Sequence, residues 1–350
     1  MLKNTIKSVL GLSAGLFLGI SALVPAAHAE QAGEQEVIKW RLQAHLPVGS
    51  GSWEDSVVAV RDKLLERTDG RLQIELHAAD SLFGPTEIFP AVQRGVVEMG
   101  YTSPAYLMNY IPTAGLAFAS PGAFEDIWEA LYFWKHLGFE ELVQEEAAEQ
   151  GVHYYTDKLY PTEMVLKEPV ESLEEFSSLK IRGAGLLQKF ISEVGASAVF
   201  MPGPEIYHAL STGLVDGAHW GASQEANALS LYEVAKYHVR PSLGIGGVEV
   251  FIINNKAMEE LPEDIRRIVK TTFQEHFWSR TNEYQYQEVE MLNHLEREQG
   301  VEVITLPDEI QQRMWEVGRE LRAVEAEKSP NAAEAVRRLE QYLESLGRGE

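Results

Sequence analysis

Cysteine is absent from all 350 residues, which excludes disulfides, thiolate metal sites and a lipid-bearing N-terminal cysteine. Positive charge is scarce: 30 Lys and Arg stand against 53 Asp and Glu, a formal charge of −23. Nucleic acid and anionic membrane surfaces are poor partners for such a field. An anionic ligand would have to be captured by a local positive site working against the field. Long apolar stretches are limited to one, Ser8 to Val24. It follows Lys3 and Lys7 and precedes Pro25 and Ala27-His28-Ala29, a small-x-small cleavage pattern, so residues 1–29 read as a secretory signal and no direct membrane anchor is expected. The signal takes two lysines and no acid with it, so the mature chain, starting at Glu30, is more negative still. What remains, about 320 residues, is long enough for two domains around two cores.

Enzyme motifs are also missing. No G-x-x-x-x-G-K-[ST] or H-E-x-x-H occurs, the one G-x-S-x-G (residues 11–15) falls inside the expected signal, and the ten histidines are scattered without metal-ligand spacing. What the chain does contain is a near-repetition. "AVQRGVVEMGYTS" (91–103) and "ALSTGLVDGAHWG" (209–221) match at Ala91/Ala209, Gly95/Gly213, Val97/Val215 and Glu98/Asp216. Each reads as a helix ended by a left-handed glycine and followed by a short buried strand. Either this is common helix-to-strand grammar or two lobes share an architecture. In the second case the strand ends, Tyr101-Thr102-Ser103 and His219-Trp220-Gly221, face one cleft, because ligands of open α/β sheets lie beyond the carboxyl ends of the strands.

Around these copies the pattern is α/β. "VIKWRLQAHLP" and "RLQIELHAA" alternate as strands about an amphipathic helix opened by Ser52 and closed by Gly70. "VEVFIINN" is a buried strand, and one unusually long helical pattern runs from Pro262 to about Gln299, long enough to brace both lobes. No flexible linker divides the chain. Crossings near 157 and 244 are therefore expected, with a first lobe from residues 37–157 and 244–285 and a second from 158–243 and 286–350.

The run "SLEEFSSLKIRGAGLLQKFISEVGASAVFMPGPEIYHALSTGLVDGA" carries a K-I-R strand, a Gly-Ala turn and an E-I-Y-x-A-L-x-x-G-x-V-D-G element. It resembles the solute-binding proteins of TRAP transporters, the DctP-like family. "TDGRLQIELHAADSLFG" and "FASPGAF" resemble the N-terminal lobe of its 2-oxo-acid and hydroxy-acid branch. The resemblance implies a two-lobed, type II-like periplasmic binding protein with discontinuous lobes joined by a strand hinge. Such a protein catalyses nothing; it closes on a small organic carboxylate and delivers it to membrane-embedded TRAP permease subunits. The alternatives are the periplasmic partner of an ATP-driven (ABC) importer and an exported hydrolase.

The resemblance also implies that Arg182, from K-I-R, bridges the ligand carboxylate, a task for which a planar guanidinium fork is suited. Trp220 is either a ligand contact or a core aromatic. Tyr101 and Tyr106 stand on the matching loop of the first lobe. Trp53 opens the first helix or simply packs, and Thr162 and Glu163 fall where the branch places polar contacts. Where cation-bridged members carry an acidic residue before the Trp, this chain has His219. That disfavours a bridging Na or Ca ion, so no cofactor is expected. His219 either bonds the ligand, with a charge that changes near neutral pH, or is a core histidine.

Overall fold

A computed structural model describes residues 36–348; the expected signal at 1–29 lies outside them. From Val37 onward the chain forms one unit. Its strands are β1 (Ile38–Ala44), β2 (Leu72–His77), β3 (Met99–Thr102), β4 (Val152–Thr162), β5 (Met164–Leu166), β6 (Lys180–Arg182), β7 (Ser197–Val199), β8 (Gly217–His219), β9 (Tyr237–Arg240), β10 (Gly244–Asn254) and β11 (Glu302–Thr305). They build two sheets, ordered β2-β1-β3-β10-β4 and β11-β9-β5-β8-β6-β7. The chain changes sheet between Thr162 and Met164 and returns between Arg240 and Gly244. The first crossing thus lies beyond the expected 157, because β4 keeps pairing with β10 until Thr162 meets Gly244.

The two copies sit in different sheets and are built alike. Helix Ile88–Gln93 ends at Gly95 (φ 69°) and helix Ile206–Ser211 runs out at Gly213 (φ 72°). In the first, the Gly95 and Val96 N–H groups donate to Val92 and Ala91 carbonyls; in the second, Gly213 and Leu214 donate to Leu210 and Ala209. These are the bonds of a Schellman cap, for which a left-handed glycine is the natural residue. The matched acids do matched work as well. Glu98 Oε2 accepts the backbone N–H of Arg41 at 2.7 Å, and Asp216 Oδ2 accepts that of Lys180 at 2.8 Å. Each thereby ties the turn to the strand beside β3 or β8.

β4 and β10 form the longest antiparallel ladder, and its register slips between Glu249 and Val250, leaving Asp157 without a partner opposite. A bulge turns side chains out of strict alternation. Here it buries the consecutive Asp157 and Lys158 together with Glu249. Helix Glu263–Glu298, about 54 Å long at 1.5 Å per residue, packs on β4, on helix Ala59–Arg67 and on helix Ser223–Ala228, so it braces both sheets. It runs unbroken through 285, where a lobe boundary was expected.

The rest of the C-terminal region also divides differently from the expectation that 286–350 belongs to the second lobe. Helix Asp308–Ala326 packs Ile310, Val317 and Leu321 with Leu187 and Ile191 of the second lobe. Helix Pro330–Ser345 instead buries Ala335, Leu339 and Leu343 with Phe139, Leu142 and Val143 of the first. It also packs along helix Asp308–Ala326. Among the described residues no helix is long and apolar enough to cross a membrane.

Candidate functional site

The carboxyl end of β6 delivers Arg182 to a small cavity between the sheets. The end of β8 adds His219 and the loop after it Trp220 and Gly221, the loop after β3 adds Ser103 and Tyr106, and β4 and β10 add Tyr160 and Glu249. His45, beyond β1, and Glu225, in the first turn of helix Ser223–Ala228, complete the polar wall. About 20 Å³ is open to the centre of a water-sized sphere, hardly more than one water requires. A ligand of more than a few heavy atoms enters only by parting the lobes. A wider groove of about 1090 Å³ between the last two helices is open to solvent, and its Arg322 is already paired with Glu340.

Arg182 is 1% exposed. Its Nε and Nη2 donate to the Met201 carbonyl at 3.1 and 3.0 Å, and Nη1 donates to the His219 carbonyl at 2.6 Å. A guanidinium has five N–H groups; carbonyls take three of them, and the Tyr106 hydroxyl also hydrogen-bonds the group. The Trp220 ring lies under it, 5.3 Å from Cζ to the centroid, a cation–π contact. Burial lowers the Arg182 pKa and the adjacent Tyr106 phenol acts to raise it. Tyr106 is itself pushed up by burial, with Arg182 pulling the other way. Among the described residues no carboxylate lies within ion-pair distance of Arg182.

His219 Nδ1 sits 2.8 Å from the Glu163 carbonyl oxygen. A carbonyl only accepts, so Nδ1 carries the proton and Nε2 is left as an acceptor. Burial first, then Arg182, depress its pKa to about 3. The ring is therefore neutral throughout the physiological range, which corrects the expected charge change near neutral pH.

The other expected contacts are placed elsewhere. Tyr101 is wholly buried behind the wall, its hydroxyl 2.5 Å from Glu249 Oε2 and 2.7 Å from Asp157 Oδ2. Thr162 donates to the Gly244 carbonyl at 3.0 Å and is sealed in the crossover. Glu163 turns its carboxylate to Arg240 and to His238 Nε2, the latter at 2.9 Å, on the far side of the crossing strands. Trp53 packs in the core with Trp40 and Leu42. Its neighbour Ser52 does not cap the helix; the Ser52 hydroxyl contacts Glu225 and accepts from Lys158 Nζ at 2.9 Å.

A buried charge network behind the cavity escapes motif reading. Lys158 Nζ reaches Asp157 Oδ2 at 3.0 Å and Glu249 Oε2 at 2.9 Å. Asp157 Oδ1 meets His276 of the long helix at 2.6 Å. Burial alone would lower the Lys158 pKa, yet Asp157 and Glu249 outweigh it and raise it. For Glu249 the balance is reversed in sign: burial acts upward, but Lys158, His45 and Tyr101 bring it down to about 2. Two adjacent charges in the strand "HYYTDKLY" were the one available signal. Among the described residues, no three His, Asp or Glu side chains are grouped to hold a metal.

Comparison with known proteins bears on this geometry. The model of bacterial extracellular solute-binding proteins, family 7 (DctP), matches residues 50–328. The chain is 28% identical over 251 residues to a monocarboxylate 2-oxoacid-binding periplasmic protein from Nostoc sp. strain PCC 7120, covering 71% of this chain and 68% of that protein. Its fold is similar to that of a TRAP periplasmic solute-binding protein from Pseudoalteromonas atlantica T6c with bound sodium and pyruvate: TM-score 0.81, 20% identity, 89% of this chain and 95% of that one. It is similar also to DctP7, an extracytoplasmic solute receptor of Bordetella pertussis binding pyroglutamic acid: TM-score 0.79, 19% identity, 87% of this chain and 99% of that one.

Proposed function

Because the chain belongs to family 7 of the bacterial extracellular solute-binding proteins, whose members are transport receptors rather than enzymes, we propose that it captures a small organic acid by its carboxylate on Arg182 and hands it to a TRAP-type permease. The observation that carries this reading is the cation without a counter-ion. A buried charge held by carbonyls, an aromatic face and a phenol, all of them neutral, is costly, and a chain with 53 acidic residues keeps every one of the described carboxylates away from it. A ligand carboxylate completes the site by accepting N–H groups of Arg182 that no carbonyl takes, in the place the Tyr106 hydroxyl now shares. Trp220 and Tyr106 flank it, one offering a ring face and the other a hydroxyl.

The reading takes the ligand without a bridging cation. Hard cations need several oxygen ligands. Glu163 is turned away to Arg240 and His238, Glu249 is held by Lys158, Tyr101 and His45, and a histidine precedes Trp220. The relatives' 2-oxo acid, pyruvate and pyroglutamate all carry the carboxylate that Arg182 suits. Closure would be a rotation of the sheets about the crossing strands, with a ligand that touches both lobes favouring the closed population.

The test is titration calorimetry of wild type and Arg182→Ala against small monocarboxylates, with and without chelator. Removing one partner of a buried charge pair costs about 2–5 kcal/mol, so binding should weaken by roughly 30-fold or more. Chelation should change nothing. Unaltered affinity in R182A would refute the role of Arg182, and loss of binding on chelation would restore a bridging ion.

A further inference from the structure

We infer that the ligand carries, besides its carboxylate, a hydrogen-bond donor, an ammonium or a hydroxyl, and that Glu225 receives it. This rests on the carboxylate reading of Arg182 and narrows the class of acid. Two carboxyl groups stand on the cavity wall, Glu225 and Glu249. Glu249 is used up: Oε1 lies 3.2 Å from His45 Nε2, and Oε2 accepts from Lys158 at 2.9 Å and from Tyr101 at 2.5 Å.

Glu225 is only half used. Its Oε1 accepts from the backbone N–H and hydroxyl of Ser52, while Oε2, though the residue is 3% exposed, has no partner in the protein. Glu163 Oε2 and Glu325 Oε1 also lack a hydrogen-bond partner, but of the three only Glu225 lines the cavity, and a buried orphaned oxygen calls for an explanation. The cavity that Glu225 lines supplies one. An ionised carboxylate only accepts, so the complementary ligand group is a donor. A 2-oxo group would instead set lone pair against lone pair.

Charge accounting points the same way. Lys158 is engaged by Asp157 and Glu249, and Arg280 by Asp55 at 3.6 Å. A ligand carboxylate consumes Arg182, so no cation of the wall is left to offset Glu225. A ligand ammonium would offset it, and a hydroxyl would at least satisfy Oε2. Burial and the neighbouring Glu249 place the Glu225 carboxyl at about 7, with Lys158, Ser52 and Arg280 acting to lower it. At pH 8 it is mainly the acceptor.

The experiment is calorimetry at pH 8 with matched 2-oxo, 2-hydroxy and 2-amino acids of three to five carbons, on wild type and Glu225→Gln. The 2-hydroxy or the 2-amino member should bind at least tenfold tighter than the 2-oxo acid of equal length, and whichever wins identifies the donor. In E225Q the isosteric amide can itself donate, so the 2-oxo acid should come within about threefold of its rivals or pass them. Equal or tighter binding of the 2-oxo acid by wild type overturns the inference while leaving Arg182 its role. So does an E225Q that weakens all three alike, the mark of a merely structural residue. If no carboxylate binds at all, the reading of Arg182 falls and this one with it.

Discussion

Glu225 and Glu249 share one wall, and burial pushes both toward the protonated form; their neighbours decide opposite outcomes. Lys158, His45 and Tyr101 bring Glu249 down to about 2, whereas Glu225 stays up at about 7 with Glu249 adding to burial. The consequences for stability have opposite signs. Glu249, depressed below its ordinary 4.5, contributes stability above that value and loses it as the pH falls toward 2. Glu225, raised above 4.5, keeps in the native state a proton that the unfolded chain has already released, so stability drains as the pH rises from 4.5 to 7. Replacing it with a neutral isostere removes that drain. Ligand-free E225Q should therefore melt above wild type at pH 8, by an amount on the order of a few kcal/mol in stability. The gap should close as the pH falls through 7 to below 4.5. A constant difference across that range, read by thermal denaturation, would assign the effect to packing.

The helix-glycine-strand element appears once in each sheet, and its two glycines permit a matched test. Gly95 and Gly213 stand at φ 69° and 72°, and an added Cβ would meet nothing nearer than Asn254 Nδ2 at 3.7 Å in one and Lys167 Nζ at 3.8 Å in the other. With steric conflict absent, Gly95→Ala and Gly213→Ala should each cost only the left-handed backbone penalty, about 1–2 kcal/mol. Chemical denaturation should give similar losses for the two; a large difference would mean that the caps are not equivalent. This element was legible in the sequence because its signals are local: apolar spacing, a terminating glycine, a buried strand. So was the long helix, whose Pro262 start and Gln299 end stand as read. The bulge at Asp157 was not, since it depends on how β10 pairs with β4 some ninety residues away. Glu163 was misplaced for the same reason, because its direction is set by where the chain changes sheet. Glu225 carries no motif at all; only the closure of the second lobe on Ser52 gives it a role.

At the scale of the whole molecule, the cavity sits in the field of a chain whose formal charge is −23. An approaching anion is repelled by that field until it is within reach of Arg182, whose charge is local and sealed behind Trp220 and Tyr106. Salt screens the two contributions unequally. The Debye length falls from about 30 Å at 0.01 M to about 8 Å at 0.15 M, which mutes interactions between exposed, distant charges and hardly touches a buried pair. The association rate of an anionic ligand should therefore rise with ionic strength over that range, while the dissociation rate, set by the closed cavity, stays nearly constant. Steering by attraction gives the opposite slope. Stopped-flow measurement with a monocarboxylate distinguishes the two. A zwitterionic ligand carries no net charge, so its association rate should hardly respond to salt at all. The salt slope thus separates the ammonium from the hydroxyl as the group received by Glu225, without altering a residue of the protein.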